Sequence, residues 1–149
     1  MGTYFNPDNG SFRQAVRSEI YVDKTGLLKY TNKFLNTENN CIALSHARRF
    51  GKSQSAGMLD AYYSLGSDSR ELFGPFEIAK DSEYEFHLNK YNVIHLDVSS
   101  FERTYKNDIV AGIQKTLYED ILRELPDLNV KDRPITAILS DVYQKTGHQ

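Results

Sequence analysis

The residues best suited to chemistry lie in one short turn, Ser45-His46-Ala47-Arg48-Arg49-Phe50-Gly51-Lys52-Ser53. Gly51-Lys52-Ser53 completes the second half of the G-x-x-x-x-G-K-[ST] pattern of a phosphate-binding loop, and His46 stands where that pattern has its first glycine. Gly51 lets the backbone approach phosphate oxygens with no Cβ in the way. The N–H groups that open the following helix point outward, unpaired, at the positive end of the helix dipole. Lys52 can extend an ammonium to the β- and γ-phosphates, and the Ser53 hydroxyl can join nucleotide oxygens around a magnesium ion. Arg48 and Arg49 add two cations. The residues expected to hold a nucleotide are therefore His46, Ala47, Arg48, Arg49, Phe50, Gly51, Lys52, Ser53 and Gln54, with Ser53 as the metal ligand. The bland alternative is a solvated basic turn that caps a helix.

Such a loop has to be positioned by its flanking elements. Cys41-Ile42-Ala43-Leu44 is an unbroken apolar run between polar segments, which predicts a short buried strand. After the loop, Ala56, Leu59, Tyr62 and Tyr63 recur on one helical face, and Gly66 supplies a stop. Val93-Ile94-His95-Leu96-Asp97-Val98 predicts a second buried strand. Ile109, Ile113, Leu117, Ile121 and Leu125 are spaced by four and predict an amphipathic helix over 106–125, closed by Pro126. A last helix opens near Pro134 and ends at Gly147. Before the loop, residues 11–18 and 24–35 have helical spacing, with Ser11 and Asp23 as their caps. Strands alternating with helices predict an α/β domain with a mostly parallel sheet.

Other residues compete with this loop for a chemical role. Asp97 ends the second predicted strand, where α/β folds present ligand-binding groups, but a carboxylate there also caps helices. Asp23-Lys24-Thr25 reads equally as a helix cap or as part of a nucleotide site. His87, His95 and His148 have no partner at metal-ligand spacing, and no nucleophile elbow is present.

Composition narrows the classes further. With 18 basic and 20 acidic side chains the net charge is −2, so there is no bulk positive field for nucleic acid. The single cysteine, Cys41, excludes an internal disulfide or a multi-cysteine zinc site. The opening residues lack a signal-peptide pattern and no apolar run reaches transmembrane length, so a cytoplasmic protein without membrane contact is expected.

Tyr21-Val22-Asp23-Lys24-Thr25, then Arg48-Arg49-Phe50-Gly51-Lys52-Ser53, Met58-Leu59 and Tyr62-Tyr63 together resemble the predicted AAA-ATPase-like family of bacteria. Asn6-Pro7, Phe12, Ser18-Glu19-Ile20 and Leu88-Asn89-Lys90-Tyr91 extend the resemblance over essentially the whole chain. It implies a P-loop NTPase-like fold, with a helical segment over 1–40 and a P-loop core portion over 41–149. It implies ATP and Mg2+ as ligands, with Gly51, Lys52 and Ser53 in the phosphate-loop roles. Family members carry Arg-Pro where this chain has His46-Ala47, which removes one cation here. They also continue past a Lys-Thr-Gly segment into an apolar strand ending in the Walker B pair Asp-Glu. Here Lys145-Thr146-Gly147-His148-Gln149 closes the sequence. The expectation is the front part of a longer protein, interrupted before the Walker B strand. Longer relatives add a PD-(D/E)XK nuclease-like domain.

The function these readings point to is ATP binding through a degenerate Walker A loop, with hydrolysis resting on acids beyond this chain. Two alternatives come from other classes. One is a vestigial anion-binding regulatory module in which Arg48 and Arg49 contact nucleic-acid phosphates. The other is a structural domain that self-associates through an unpaired sheet edge.

Overall fold

The computed structural model describes residues 2–45, 47, 51–106 and 108–148. Its regular elements are helices. They are α1 (Gly10–Val16), α2 (Gly26–Asn32), α3 (Lys52–Tyr63), α4 (Arg70–Phe73), a 3-10 turn (Glu77–Lys80), α5 (Tyr84–His87), α6 (Val98–Thr104), α7 (Ile109–Glu124) and α8 (Ile135–Thr146).

The three longest helices form where apolar spacing predicts them. Asp108 accepts a hydrogen bond from the Ala111 N–H at 2.9 Å and starts α7, and the row of Leu117 and Ile121 faces the interior. Pro134 stands just outside α8, its fixed φ suiting the entry, and Gly147 closes that helix in the left-handed region at φ 70°. α3 ends at Tyr63, at the boundary its apolar face predicts.

The expected mostly parallel sheet is absent: no β-strand forms among the described residues, and two isolated bridges are the sole strand-like pairings there. The sequence reading of an α/β P-loop core with flanking strands is therefore corrected to a helical fold. The physical reason lies in the partners. Cys41-Ile42-Ala43-Leu44 lies outside any regular element and is exposed, with Ile42 at 42% and Leu44 at 43% exposure, and among the described residues it joins no ladder. The segment at 93–98 does meet a neighbouring backbone. Asn6 N–H donates to the Val93 carbonyl at 2.8 Å and His95 N–H to the Tyr4 carbonyl at 2.9 Å, which makes the antiparallel bridge of Phe5 with Ile94. The pairing stops there. Asn6 turns the chain through φ 46° and holds it with its side chain, whose Oδ1 accepts from Val93 N–H at 2.8 Å. On the other side Asp97 caps α6 and Val98 is already helical.

Two apolar clusters organise the helices. The larger gathers Phe12, Leu28, Met58, Tyr62, Phe73, Ile78 and Leu88 from α1 to α5 and the 3-10 turn. Phe12 stacks on Phe73 with centroids 4.8 Å apart. The smaller joins Phe5 to Ile121 of α7 and to Ile138 and Val142 of α8. Asp120, buried in α7, accepts from the Tyr4 N–H at 2.7 Å and ties the N-terminal segment to that cluster. Among the described residues no helix is long and apolar enough to cross a membrane.

Candidate phosphate-binding site

The site begins at Gly51. Its φ of 83° lies in the left-handed region, and it caps the N-terminus of the twelve-residue α3. The Gly51 carbonyl accepts from the Ser55 N–H at 2.9 Å. No side chain caps this helix end by a hydrogen bond, and its first turn contains no acid. The helix's own first turn thus brings no carboxylate to the positive end of the dipole.

Cations stand there instead. A Cβ built on Gly51 would lie 2.9 Å from Lys24 Nζ and 3.2 Å from Gln54 Oε1, so the glycine leaves room that a side chain would fill. The Lys52 ammonium lies 3.4 Å from the Ala47 carbonyl and donates to it, arching back along the loop. Ser53 and Gln54 follow on the exposed first turn of α3. His46, Arg48, Arg49 and Phe50, also expected at the site, lie outside the described residues.

Lys24 is presented by its neighbours. Asp23 accepts from the Thr25 N–H at 2.8 Å and the Glu77 N–H at 3.0 Å. Burial pushes the Asp23 carboxyl up, but these bonds, with the Thr25 hydroxyl and Lys80, outweigh it and hold it below the ordinary carboxylate value. Thr25 is fully buried, and its hydroxyl accepts from the Ile78 N–H at 3.2 Å. Asp23 and Thr25 therefore fasten the start of α2 to the 3-10 turn, with Lys24 between them. The Asp-Lys-Thr segment divides into two structural residues and one cation at the loop. The helix cap expected at Asp23 falls instead on Thr25, which makes no side-chain cap bond, and Asp23 holds the turn just before it.

Ser53 faces a different environment. It lines a cleft of about 330 Å3 with Tyr4, Asp8, Asp60, His95 and Asp97. Ser53 and Asp60 lie seven residues apart on α3 and so on one face. Gly57, between them on that face, allows α1 to come close: a Cβ there would meet Ser11 Oγ at 2.8 Å. His95 Nδ1 is 2.5 Å from Asp60 Oδ2. Burial raises the Asp60 pKa, and the bond to His95 opposes that rise. Asp97 accepts from the Ser99 hydroxyl at 2.6 Å and the Ser99 N–H at 3.1 Å, bonds that hold its carboxyl low. It is a helix cap, as the bland reading had it, and it also borders the cleft that Ser53 enters.

Lys24 enters the sequence reading only within the Asp23-Lys24-Thr25 alternative, and Asp60 and His95 do not enter it as residues of this site. The one legible signal was the helical spacing that puts Asp60 under Ser53.

The arrangement fits a phosphate group, because the left-handed glycine leaves a cradle, the first turn of α3 carries no acid of its own, and lysines approach from two segments. It fits magnesium in a narrower sense. Among the described residues no group of three or more His, Cys, Asp or Glu side chains converges on a metal position. Ser53 would be the protein ligand, and nucleotide oxygens and water would complete the shell.

The model of the predicted AAA-ATPase family matches residues 11–149, and the chain belongs to that family. No curated protein and no solved structure matches the chain.

Proposed function

We propose that this chain binds the phosphates of a nucleoside triphosphate, ATP foremost, together with Mg2+ at the N-terminus of α3. The observation that carries the proposal is the approach of Lys24 Nζ to Gly51. It brings a second ammonium to the helix end that Lys52 already serves, and like charges gather where an anion is to be held. Gly51 N–H and the N–H groups of the first turn would face phosphate oxygens, and Lys24 and Lys52 would offset their charge. Magnesium supplies a hard cation that neutralises phosphate charge. Ser53 would hold it at the rim of the cleft where Asp8, Asp60 and Asp97 favour positive charge and hydration water.

Membership of the predicted AAA-ATPase family supports this reading. Isothermal titration with ATP and Mg2+ tests it on the wild-type chain, Lys52→Ala and Lys24→Ala. Each substitution removes one charge-assisted contact, worth about 1.5 kcal/mol, so affinity falls about tenfold for each. Equal heats and affinities for all three proteins would end the proposal.

A further inference from the structure

A second cleft lies on another part of the surface, between α6 and α7. It measures about 500 Å3 and its charged lining is Arg103, Lys106, Asp108 and Lys115. Arg103, Lys106 and Lys115 are exposed. Among the described residues none of the three forms a salt bridge, and Arg103 acts on Asp97 through its charge alone. Exposed cations such as Arg17, Lys33 and Lys131 likewise form no salt bridge among the described residues, so what sets this cleft apart is that three cations line one concavity. Three cations against one acid on a single cleft of a chain with net charge −2 are a local reversal of sign.

The one acid in the lining offsets one of the three charges and leaves an excess of positive charge. Asp108 is committed to α7, where its carboxylate accepts from the Ala111 N–H at 2.9 Å. That same bond caps the helix end, so the attraction for an anion comes from the side chains. The floor is firm. Tyr105 packs against Gly112, where a Cβ would fall 2.4 Å from the Tyr105 Cγ, and its ring stacks on Phe101 at 6.2 Å. Arg103 and Lys106 project from the segment that carries Tyr105, and Lys115 from the next turn of α7 after Gly112. The two sides of the cleft are thereby held at a fixed spacing.

We propose that this cleft is a second anion site, separate from the α3 loop, that binds a phosphate group. The guanidinium of Arg103 can grip two phosphate oxygens, with Lys106 and Lys115 as point charges. The phosphate comes either free in solution or within a single-stranded nucleic acid, and the test separates these sources.

Fluorescence anisotropy of a labelled single-stranded oligonucleotide is measured at low salt and across a salt series. The protein is the Lys52→Ala variant, so that the α3 site contributes least. Inorganic phosphate binding is followed in parallel by titration calorimetry. The comparison protein adds R103Q, K106Q and K115Q, which remove charge but keep length, and its melting temperature and helical circular dichroism check folding. If the strand is the source, the triple substitution weakens oligonucleotide binding at least tenfold and makes the salt slope shallower by about 2. If free phosphate is the source, the phosphate heat disappears in the triple variant and the oligonucleotide shows no binding. Either result supports the cleft. Absence of both ligands from the Lys52→Ala protein, or equal binding by the two proteins, overturns it. ATP binding with Lys52 intact and the three Gln substitutions present is unchanged in every case, which keeps the two sites' fates distinct.

Discussion

Lys24 Nζ lies 2.9 Å from the point that a Cβ on Gly51 would occupy. Two segments remote in sequence thus meet at the helix end that the phosphate-loop pattern marks. Gly51→Ala is expected to act through two separate effects. The φ of 83° costs an alanine about 1–2 kcal/mol of stability. The overlap with Lys24 costs little stability, because an ammonium at the end of a flexible chain can swing aside. It moves the cation, however, and so weakens ATP binding. Lys24→Ala combined with Gly51→Ala then gives additive losses in urea denaturation and less than additive losses in ATP titration. Fully additive binding losses would mean that the two residues do not share a ligand.

The Asp60–His95 pair makes a prediction about pH. Burial raises the Asp60 pKa, with the His95 bond opposing. An acid with a raised folded pKa binds more protons in the folded state over that window. Stability therefore falls as pH rises from the unfolded carboxylate value, about 4, through the folded pKa. In denaturation curves taken from acid to neutral pH, the wild type should lose stability relative to Asp60→Asn as pH rises. His95→Ala removes the opposing bond and should carry the loss to higher pH. Parallel stability profiles for wild type and Asp60→Asn would show that Asp60 does not titrate in this way.

A buried hydroxyl network under α3 predicts a stability loss. Tyr63 OH donates to Asn32 Oδ1 at 2.6 Å and is 2.6 Å from Thr31 Oγ1. Tyr62 OH donates to the Tyr84 carbonyl at 3.0 Å. Tyr63→Phe leaves the Asn32 oxygen without its donor in a buried setting, at a cost of about 1–3 kcal/mol. Burial also pushes Tyr62 up to about 12 and raises Tyr63 further. The folded state thus keeps phenolic protons that the unfolded chain releases from about 10 upward. Stability should fall as pH rises through that window, with phenolate absorbance appearing together with unfolding. Phenolate from all ten tyrosines at the ordinary pH, with the fold intact, would contradict the burial argument.

What was legible in the sequence follows from which forces are local. The α7 boundary came from the four-residue spacing of Ile109, Ile113, Leu117 and Ile121 and its closure from Pro126, because helix bonds join residues close in sequence. The end of α8 at Gly147 was readable for the same reason. Strands are different. Ile42 and Leu44 have the apolar character of a buried strand, but a ladder needs a second backbone, and that partner is not written in the run itself. Gly51, Lys52 and Ser53 were readable as a loop motif. The arrival of Lys24, and the meeting of Asp60 with His95, depend on how α2, α3 and the 93–97 segment pack, which no spacing encodes.

Gly112 predicts a substitution in which two effects oppose each other. Alanine in place of glycine inside a helix ordinarily stabilises by about 1 kcal/mol. Here the added Cβ would fall 2.4 Å from Tyr105 Cγ, 2.5 Å from Cδ2 and 2.9 Å from Cβ. These atoms sit at the base of the side chain, so a swing of its far end brings no relief. Either Tyr105 leaves its stack on Phe101 or α6 shifts away from α7. Overpacking of this kind costs about 1–3 kcal/mol, which exceeds the propensity gain at so short a distance. Gly112→Ala should therefore destabilise the chain, by up to about 2 kcal/mol in urea denaturation. In a Tyr105→Ala background the two closest contacts are gone, and the same substitution should cost little or become stabilising. The cleft carrying Arg103 and Lys115 should also widen in Gly112→Ala and lose affinity for phosphate. A stabilising Gly112→Ala in the wild-type background would show that α6 and α7 do not meet as closely as Tyr105 and Gly112 require.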